Sequence, residues 1–166
     1  LTNLRTLSLP KQITGAGLAH LKGMNLRTLN IPQQAKTDLG LKHYLAAIEP
    51  PNALDLPRWQ ITDAGLVHLK SLINLTRLNL WESEVTDVGL VHLKGLTELR
   101  GLGLRNTQIT DAGLVHLKGL TNLQTLDLSH TQVTDAGLVH LAGLNLKSLV
   151  IPKQARTDIG LKHFLA

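Results

Sequence analysis

One phrase of eight residues, Thr-Asp-Ala-Gly-Leu-Val-His-Leu, recurs along the chain and limits its fold more than any other feature. It begins at Thr62, Thr110 and Thr134, and the copy at Thr86 differs only by Val88. Looser copies begin at Thr14, Thr37 and Thr157. Runs of the form Leu-x-x-Leu-x-Leu precede these copies and start at positions 4, 26, 51, 75, 99, 123 and 146, in steps of 22, 25, 24, 24, 24 and 23 residues. Position 51 is Pro51, but Leu54 and Leu56 keep the phase. A fixed period of this length predicts a solenoid of stacked units.

Each unit is predicted to form one strand and one short helix. In the sixth unit, apolar and polar residues alternate from Leu126 to Ser129, which is typical of a strand with one buried face. Thr134 can then cap a helix of about two turns, which Gly143 can end in a left-handed conformation. Stacking the units buries the leucines in columns and joins all seven strands into one parallel sheet.

Each predicted helix contains a small pair of residues near its start, such as Ala136 and Gly137. The glycine lowers helix propensity by about 1 kcal/mol relative to alanine. We expect a close approach of neighbouring backbones to compensate for this cost. The aspartates that open the helices are expected to interact with the positive helix end, and the lysines near their last residues with the negative end.

Residues 120–138, Leu-Thr-Asn-Leu-Gln-Thr-Leu-Asp-Leu-Ser-His-Thr-Gln-Val-Thr-Asp-Ala-Gly-Leu, resemble a bacterial leucine-rich repeat, and the resemblance covers the whole chain. It implies an α/β fold, a right-handed, curved solenoid with a parallel sheet on the concave face and short helices on the convex face. It also implies binding of proteins or other ligands, usually through the concave strands. The inward asparagine common after the strand in this family is replaced by Gln12, Gln34, Trp59, Ser83, Thr107, Thr131 and Gln154. We therefore expect no regular ladder of side-chain amides, and we expect Trp59 to lie in the core.

A second, longer period spans five units. Asn25 to Ala46 and Asn145 to Ala166 are near copies, offset by 120 residues. We interpret residues 1–166 as a single solenoid of about seven repeats and as a fragment of a longer array. Pro50 and Pro51 interrupt the leucine pattern and are expected to bend the stack. Leucines open the first strand and apolar side chains close the last helix without a polar cap, so head-to-tail self-association is a further expectation. These uncapped residues are Leu4, Leu7, Leu9, Leu161, Phe164 and Leu165.

The composition excludes several classes of function. The net charge is +5, but no block of Lys and Arg is present that would track phosphates, so nucleic acid is not an expected partner. No apolar run is long enough for a membrane span, and the compartment cannot be assigned. Neither a phosphate loop nor a nucleophile elbow occurs, and Asp127, Ser129 and His130 are interpreted as an incidental cluster. The sequence predicts no enzyme, no cofactor and no catalytic residue.

One histidine occupies the same place in every unit: His20, His43, His68, His92, His116, His140 and His163. Helices pack about 8–10 Å apart, whereas zinc needs nitrogen ligands at about 2.1 Å, and no unit offers a second ligand four residues later. We therefore predict partly buried histidines that pack between helices, and no metal site.

The residues on the solvent side of the strands vary from unit to unit, and packing does not dictate them. Trp81 is a large ring at such a position, where it either anchors a partner or merely covers the sheet edge. Gly101 and Gly103 are expected to leave a depression beside it. The predicted partner site consists of Arg77, Asn79, Trp81, Arg100, Arg105 and Asp127. We expect a non-catalytic module that binds a protein or peptide there, and the alternative is a structural spacer or self-assembling element.

Overall fold

The computed structural model describes residues 3–156 and contains seven short strands, one in each unit. They are β1 (Thr6–Ser8), β2 (Thr28–Asn30), β3 (Ala53–Asp55), β4 (Arg77–Asn79), β5 (Gly101–Gly103), β6 (Thr125–Asp127) and β7 (Ser148–Val150). All paired neighbours are parallel, and the middle leucine of each strand lies opposite the middle leucine of the next. Helical segments separate the strands along the chain. This is the predicted α/β leucine-rich repeat solenoid.

The length of each helical segment follows the length of its unit. The described α-helices are α1 (Asp38–Ala47), α2 (Asp63–Leu66), α3 (Asp87–Leu90) and α4 (Asp111–Leu114). The unit of 25 residues holds the ten-residue α1, and the units of 24 residues that follow hold one α-helical turn continued by a 3-10 turn. The shorter first and sixth units hold only the 3-10 helices Gly17–Leu21 and Gly137–Leu141.

The short helix predicted after Thr134 is a 3-10 helix, and the Thr134 hydroxyl accepts from the backbone N–H of Ala136 at 3.3 Å. The segment ends as predicted, because Gly143 has a left-handed backbone with φ of +87°. The 23-residue unit has fewer residues to return to the sheet than its neighbours, and a 3-10 helix covers a given distance with fewer residues.

The prediction of one seven-stranded sheet is wrong. β1 and β2 form a two-stranded sheet, and β3 to β7 form a separate five-stranded sheet. Between β2 and β3 only isolated bridges remain, Leu26 to Ile48 and Thr37 to Gln60. Pro50 and Pro51 precede β3 and have no backbone N–H to donate. The unit that holds β2 is also one residue longer than the unit that holds β3, so the ladder of hydrogen bonds is not continued from β2 to β3.

The core is divided at the same place. Aliphatic residues from Leu41 to Ala155 form the larger buried cluster, and a small cluster under the first two strands contains Leu26, Leu29, Ala47 and Ile48. Partly buried Tyr44 packs against both clusters.

An aromatic pair lies at this junction. Trp59 is only 5% exposed, which confirms that it belongs to the core. The Tyr44 ring meets it edge to face, with centroids 5.5 Å apart and planes at 76°. Burial raises the pKa of the Tyr44 hydroxyl.

An aspartate–threonine clamp joins consecutive units. In its third instance, Asp87 accepts from the backbone N–H of Thr110 at 2.8 Å and from the Thr110 hydroxyl at 2.6 Å. The same pair of hydrogen bonds joins Asp38 to Thr62, Asp63 to Thr86 and Asp111 to Thr134. The sequence analysis assigned these aspartates only to the helix ends and missed the contact between units.

The clamp explains the glycine of the repeated phrase. A Cβ at Gly113 would overlap the carboxylate of Asp87, and the same holds in the other units. The equivalent pairs are Gly65 with Asp38, Gly89 with Asp63, and Gly137 with Asp111. In these four units the closest neighbour is therefore a side chain of the preceding unit. At Gly137 the backbone Cα of Asp111 also lies 3.0 Å from the Cβ position, so the expected backbone approach is found there.

The absence of an amide ladder after the strands is confirmed at the three positions that carry hydroxyls. Ser83, Thr107 and Thr131 each donate to the carbonyl three residues earlier, at 2.8, 2.6 and 2.7 Å. These hydroxyls satisfy a carbonyl of their own unit. Gln154 instead reaches the preceding unit and donates to the carbonyls of Thr131 and Val133, both at 2.9 Å.

The repeat histidines are partly buried at five described positions, as predicted: His43, His68, His92, His116 and His140. His20 is exposed, so the prediction is wrong for the first unit. At the start of the chain, Leu4, Leu7 and Leu9 are partly buried. Predictions for the last helical segment lie outside the described residues: Thr157, Asp158, Leu161, His163, Phe164 and Leu165.

Candidate functional site

The solvent side of the five-stranded sheet forms a groove of about 470 Å³. Every strand from β3 to β7 contributes side chains to it, because alternate residues of a strand point to the same face. Its polar and aromatic lining comprises Asp55, Arg77, Asn79, Trp81, Thr125, Asp127 and Ser148. Ala53, Gly101, Gly103 and Val150 line the rest of the outward positions.

The two glycines of β5 provide room for large side chains of β4. A Cβ at Gly101 would lie 3.1 Å from Cγ of Arg77, and a Cβ at Gly103 would overlap the indole of Trp81. Arg77 and Trp81 therefore lie along the sheet surface above these glycines. Gly101 and Gly103 line the groove beside Trp81, as expected, and the indole occupies part of the space above Gly103.

Trp81 is held from two sides and remains 37% exposed. Its backbone N–H donates to Oδ1 of Asn79 at 3.1 Å, and Nδ2 of Asn79 donates to Oδ1 of Asp55 at 2.6 Å. The guanidinium carbon of Arg105 lies 6.0 Å from the centroid of the indole ring, within the range of a cation–π contact. We call Arg77, Trp81 and Arg105 the Arg–Trp shelf.

The turn after β4 helps to fix this shelf. Glu82, which directly follows Trp81, has a left-handed backbone with φ of +58° and accepts from Nε of Arg58 at 2.9 Å. The backbone N–H of Glu82 donates to the carbonyl of Arg105 at 3.0 Å. The turn that holds Trp81 and Glu82 therefore lies next to the turn that holds Arg105. A left-handed non-glycine residue is uncommon and is held here by contacts on both sides.

The groove has a cationic centre and acidic flanks. Within residues 3–156 the ion pairs are Arg5–Glu49, Arg27–Glu49 and Arg58–Glu82, so Arg77, Arg100 and Arg105 are exposed without an ion-pair partner. The flanking carboxylates already accept hydrogen bonds. Asp55 accepts from Asn79, and Asp127 accepts from the N–H and hydroxyl of Ser129 at 2.9 and 2.6 Å.

The structure brings most of the predicted site together. Arg77, Asn79, Trp81 and Asp127 line the groove, and Arg105 joins them by its contact with the indole. Arg100 precedes β5, is exposed and does not line the groove.

The predicted site omitted several lining residues, among them Asp55, Thr125, Ser148 and Val150. They occupy the same outward strand positions as the predicted residues. Position within the repeat was therefore the signal that would have identified them.

The described residues do not assemble a reactive centre around Asp127. Its carboxylate accepts hydrogen bonds from the N–H and hydroxyl of Ser129, and no hydrogen bond in this part of the chain joins either residue to His130. Between residues 3 and 156 no group of three or more metal-ligating side chains is positioned to hold a metal ion. None of the helices described there is long and apolar enough to cross a membrane.

The fold and its repeated leucines define the class: the chain has a leucine-rich repeat solenoid fold and is similar to bacterial leucine-rich repeat proteins. Residues 73–133 match the leucine rich repeat family. No curated protein matches the chain significantly.

Two solved structures from Listeria monocytogenes are similar to the chain over 98% of its residues. One is an internalin, internalin F, with 26% identity and a TM-score of 0.68, and the other is internalin C2, with 29% identity and a TM-score of 0.67. The chain spans 46% of the first structure's chain and 68% of the second. The family and these matches support a protein-interaction repeat module.

Proposed function

We propose that the chain is a non-catalytic module that binds a protein or peptide in the groove formed by β3 to β7. The observation that carries this proposal is the Arg–Trp shelf. An indole that is 37% exposed lies against a glycine floor, with a guanidinium above its ring. Aromatic and arginine side chains are the residues that most often dominate binding energy at protein interfaces.

The contrast between the two sides of the solenoid supports a partner surface over a uniform spacer. On the helix side, the aspartate–threonine clamp repeats with the same partners in four consecutive junctions. On the strand side, the outward residues differ from strand to strand, from Asp55 to Asn79 to Gly103. A spacer requires only the first pattern, whereas a specific surface requires the second.

The partner residues proposed are Arg77, Asn79, Trp81, Arg100, Arg105 and Asp127, to which the groove adds Asp55. Asn79 has a supporting role in this set, because it connects the backbone of Trp81 to the carboxylate of Asp55. Apart from the two aspartates, all of these residues lie on or beside β4 and β5, so we propose that the centre of the interface lies there.

Substitution of the shelf tests this function. Binding proteins or peptides selected on the intact chain are titrated against Trp81→Ala and Arg105→Ala, and Val115→Ala is the control. Val115 is 41% exposed but belongs to the 3-10 turn after α4, on the helix side. We expect a loss of about 2 kcal/mol, or roughly 30-fold in Kd, for Trp81→Ala and no loss for the control. Equal affinities for all variants would exclude the groove as the binding site.

A further inference from the structure

We infer that the groove selects a peptide segment with a short acidic centre, whose carboxylates bind the Arg–Trp shelf. This inference rests on the function proposed above and names the chemistry of the partner for the same site. It follows from which charges in the groove are already satisfied by the protein and which are available.

The available charge in the centre of the groove is positive. Arg77 and Arg105 make no ion pair among the described residues, although a guanidinium has five N–H donors in a planar fork suited to carboxylates. Arg77 extends over Gly101 and Arg105 lies against the Trp81 ring, so neither guanidinium needs a large rearrangement to meet a ligand. The shelf therefore presents two pre-positioned cations beside an apolar ring.

The negative charges lie to the sides and already have hydrogen-bond donors. Asp55 on β3 accepts from Asn79 at 2.6 Å, and Asp127 on β6 accepts from the Ser129 hydroxyl at 2.6 Å. Each remains an anion that repels further negative charge. A ligand that is acidic along its whole length would meet this repulsion on both flanks, whereas one with acidic residues only at its centre would not.

The spacing of the strands limits the length of the segment. Five strands about 4.8 Å apart span roughly 19 Å, which about six residues of extended peptide can cross at about 3.3 Å per residue. β4 and β5, which lie between Asp55 on β3 and Asp127 on β6, occupy about one quarter of that span. We therefore assign one or two adjacent acidic residues to the middle of the segment, with uncharged or basic residues on either side.

This charge arrangement favours a peptide over a nucleic acid. A phosphate backbone that crossed all five strands would pass Asp55 and Asp127, and single-strand binding proteins use successive aromatic platforms for the bases. Trp81 is the one aromatic residue among those that line the groove. A side-chain carboxylate can contact the shelf without bringing negative charge to the flanks.

Selection from a random peptide library tests the inference directly. The library is displayed on phage and selected on the intact chain, and binders that fail on Trp81→Ala are retained as groove-dependent. We expect Asp and Glu to be enriched at one or two adjacent central positions in these binders. Selection on the Arg77→Gln, Arg105→Gln double variant should abolish this enrichment. The Lys94→Gln, Lys118→Gln double variant, an equal loss of two charges at helical turns away from the groove, should leave it unchanged.

A synthetic binder gives a second measurement that does not depend on the double variant folding. Replacing its central Glu by Gln should weaken binding to the native chain by about tenfold or more, as expected when one member of a partly buried charged pair is removed. Arg105→Gln alone should reduce the Kd difference between the Glu and Gln peptides.

The alternative outcomes separate the two proposals. Groove-dependent peptides without acidic enrichment would overturn the acidic centre and leave the binding groove standing. A failure to recover any peptide that depends on Trp81 would overturn both. Binding of a single-stranded oligonucleotide that depends on Trp81, without any such peptide, would assign the shelf to nucleic acid and overturn both as well.

Discussion

At the scale of single residues, the aspartate that opens each of the four α-helices determines which residue can stand three positions after the capping threonine of the next unit. Asp87 accepts two hydrogen bonds from Thr110, and its carboxylate fills the space beside Gly113. Asp, Thr and Gly of the repeated phrase therefore form one contact between two units. Removing this carboxylate would leave the part-buried N–H and hydroxyl of Thr110 without their acceptor, which lowers the free energy of unfolding by at most about 1–3 kcal/mol.

A glycine-to-alanine substitution tests this contact, because the contact predicts a loss of stability whereas helix propensity predicts a gain. Gly113→Ala would favour an ordinary helix by about 1 kcal/mol. Here the added methyl group must displace the Asp87 carboxylate, so we expect the free energy of unfolding in urea to fall by about 1–3 kcal/mol.

Two further variants complete this test. Gly119→Ala is the matched control, since a Cβ there has no neighbour within 4 Å. In an Asp87→Ala background, Gly113→Ala should cost less than it does in the native chain, because the two residues are in contact. A native-background Gly113→Ala that is as stable as the unchanged chain would contradict the clamp.

At the scale of structural elements, the junction between the two sheets depends on side-chain packing where the backbone ladder is interrupted. Pro50 and Pro51 supply no donors, and the Tyr44 and Trp59 rings meet edge to face beside this point. A buried aromatic residue contributes mainly through the apolar surface it removes from water.

The two tryptophans of the chain form a matched pair for testing this packing. Trp59→Ala should lower the free energy of unfolding by about 3–5 kcal/mol, as expected for a large-to-small substitution in a core. Trp81→Ala should change stability much less, because that ring lies on the groove surface. Urea denaturation of both variants gives the comparison, and equal losses would contradict the assignment of Trp59 to the core.

Tyr44 offers a spectroscopic test of the same junction, since it is the one tyrosine in the chain. Burial raises its pKa above the ordinary value of about 10, because the charged phenolate is poorly solvated there. Its contribution to stability is present below the unfolded pKa and is lost as the pH rises through the folded pKa. An absorbance titration should therefore show that Tyr44 ionises at a higher pH than free tyrosine does. A midpoint equal to that of free tyrosine, measured on the folded chain, would show that the ring is solvated.

The elements also show where sequence reasoning succeeds and where it stops. The leucine period located every strand, because a buried column of identical residues leaves little freedom of register. It did not predict the sheet break, since Pro50 and Pro51 act on hydrogen bonds to another unit. The contact between Asp87 and Thr110 was missed for a related reason: both residues have a sufficient local role in their own helix, and only stacking brings them together.

At the scale of the whole molecule, the regular helix side and the irregular strand side separate two tasks. The clamps and leucine columns build the stack, and the glycines of β5 create space for the side chains of β4. From the sequence, the outward positions of Arg77, Asn79, Trp81 and Asp127 were sufficient to place them on one surface. The sequence did not show that Trp81 lies over Gly103, because that depends on the side-chain conformation.

The central proposal is that a partner covers Trp81 in the groove, and fluorescence quenching measures this most directly. Trp59→Phe leaves Trp81 as the one tryptophan, so its accessibility to acrylamide can be followed with and without a selected partner. We predict that saturation with the partner protects Trp81 from quenching and that Arg105→Ala weakens the protection at a given partner concentration. Unchanged quenching of Trp81 while the partner is demonstrably bound would contradict binding in the groove.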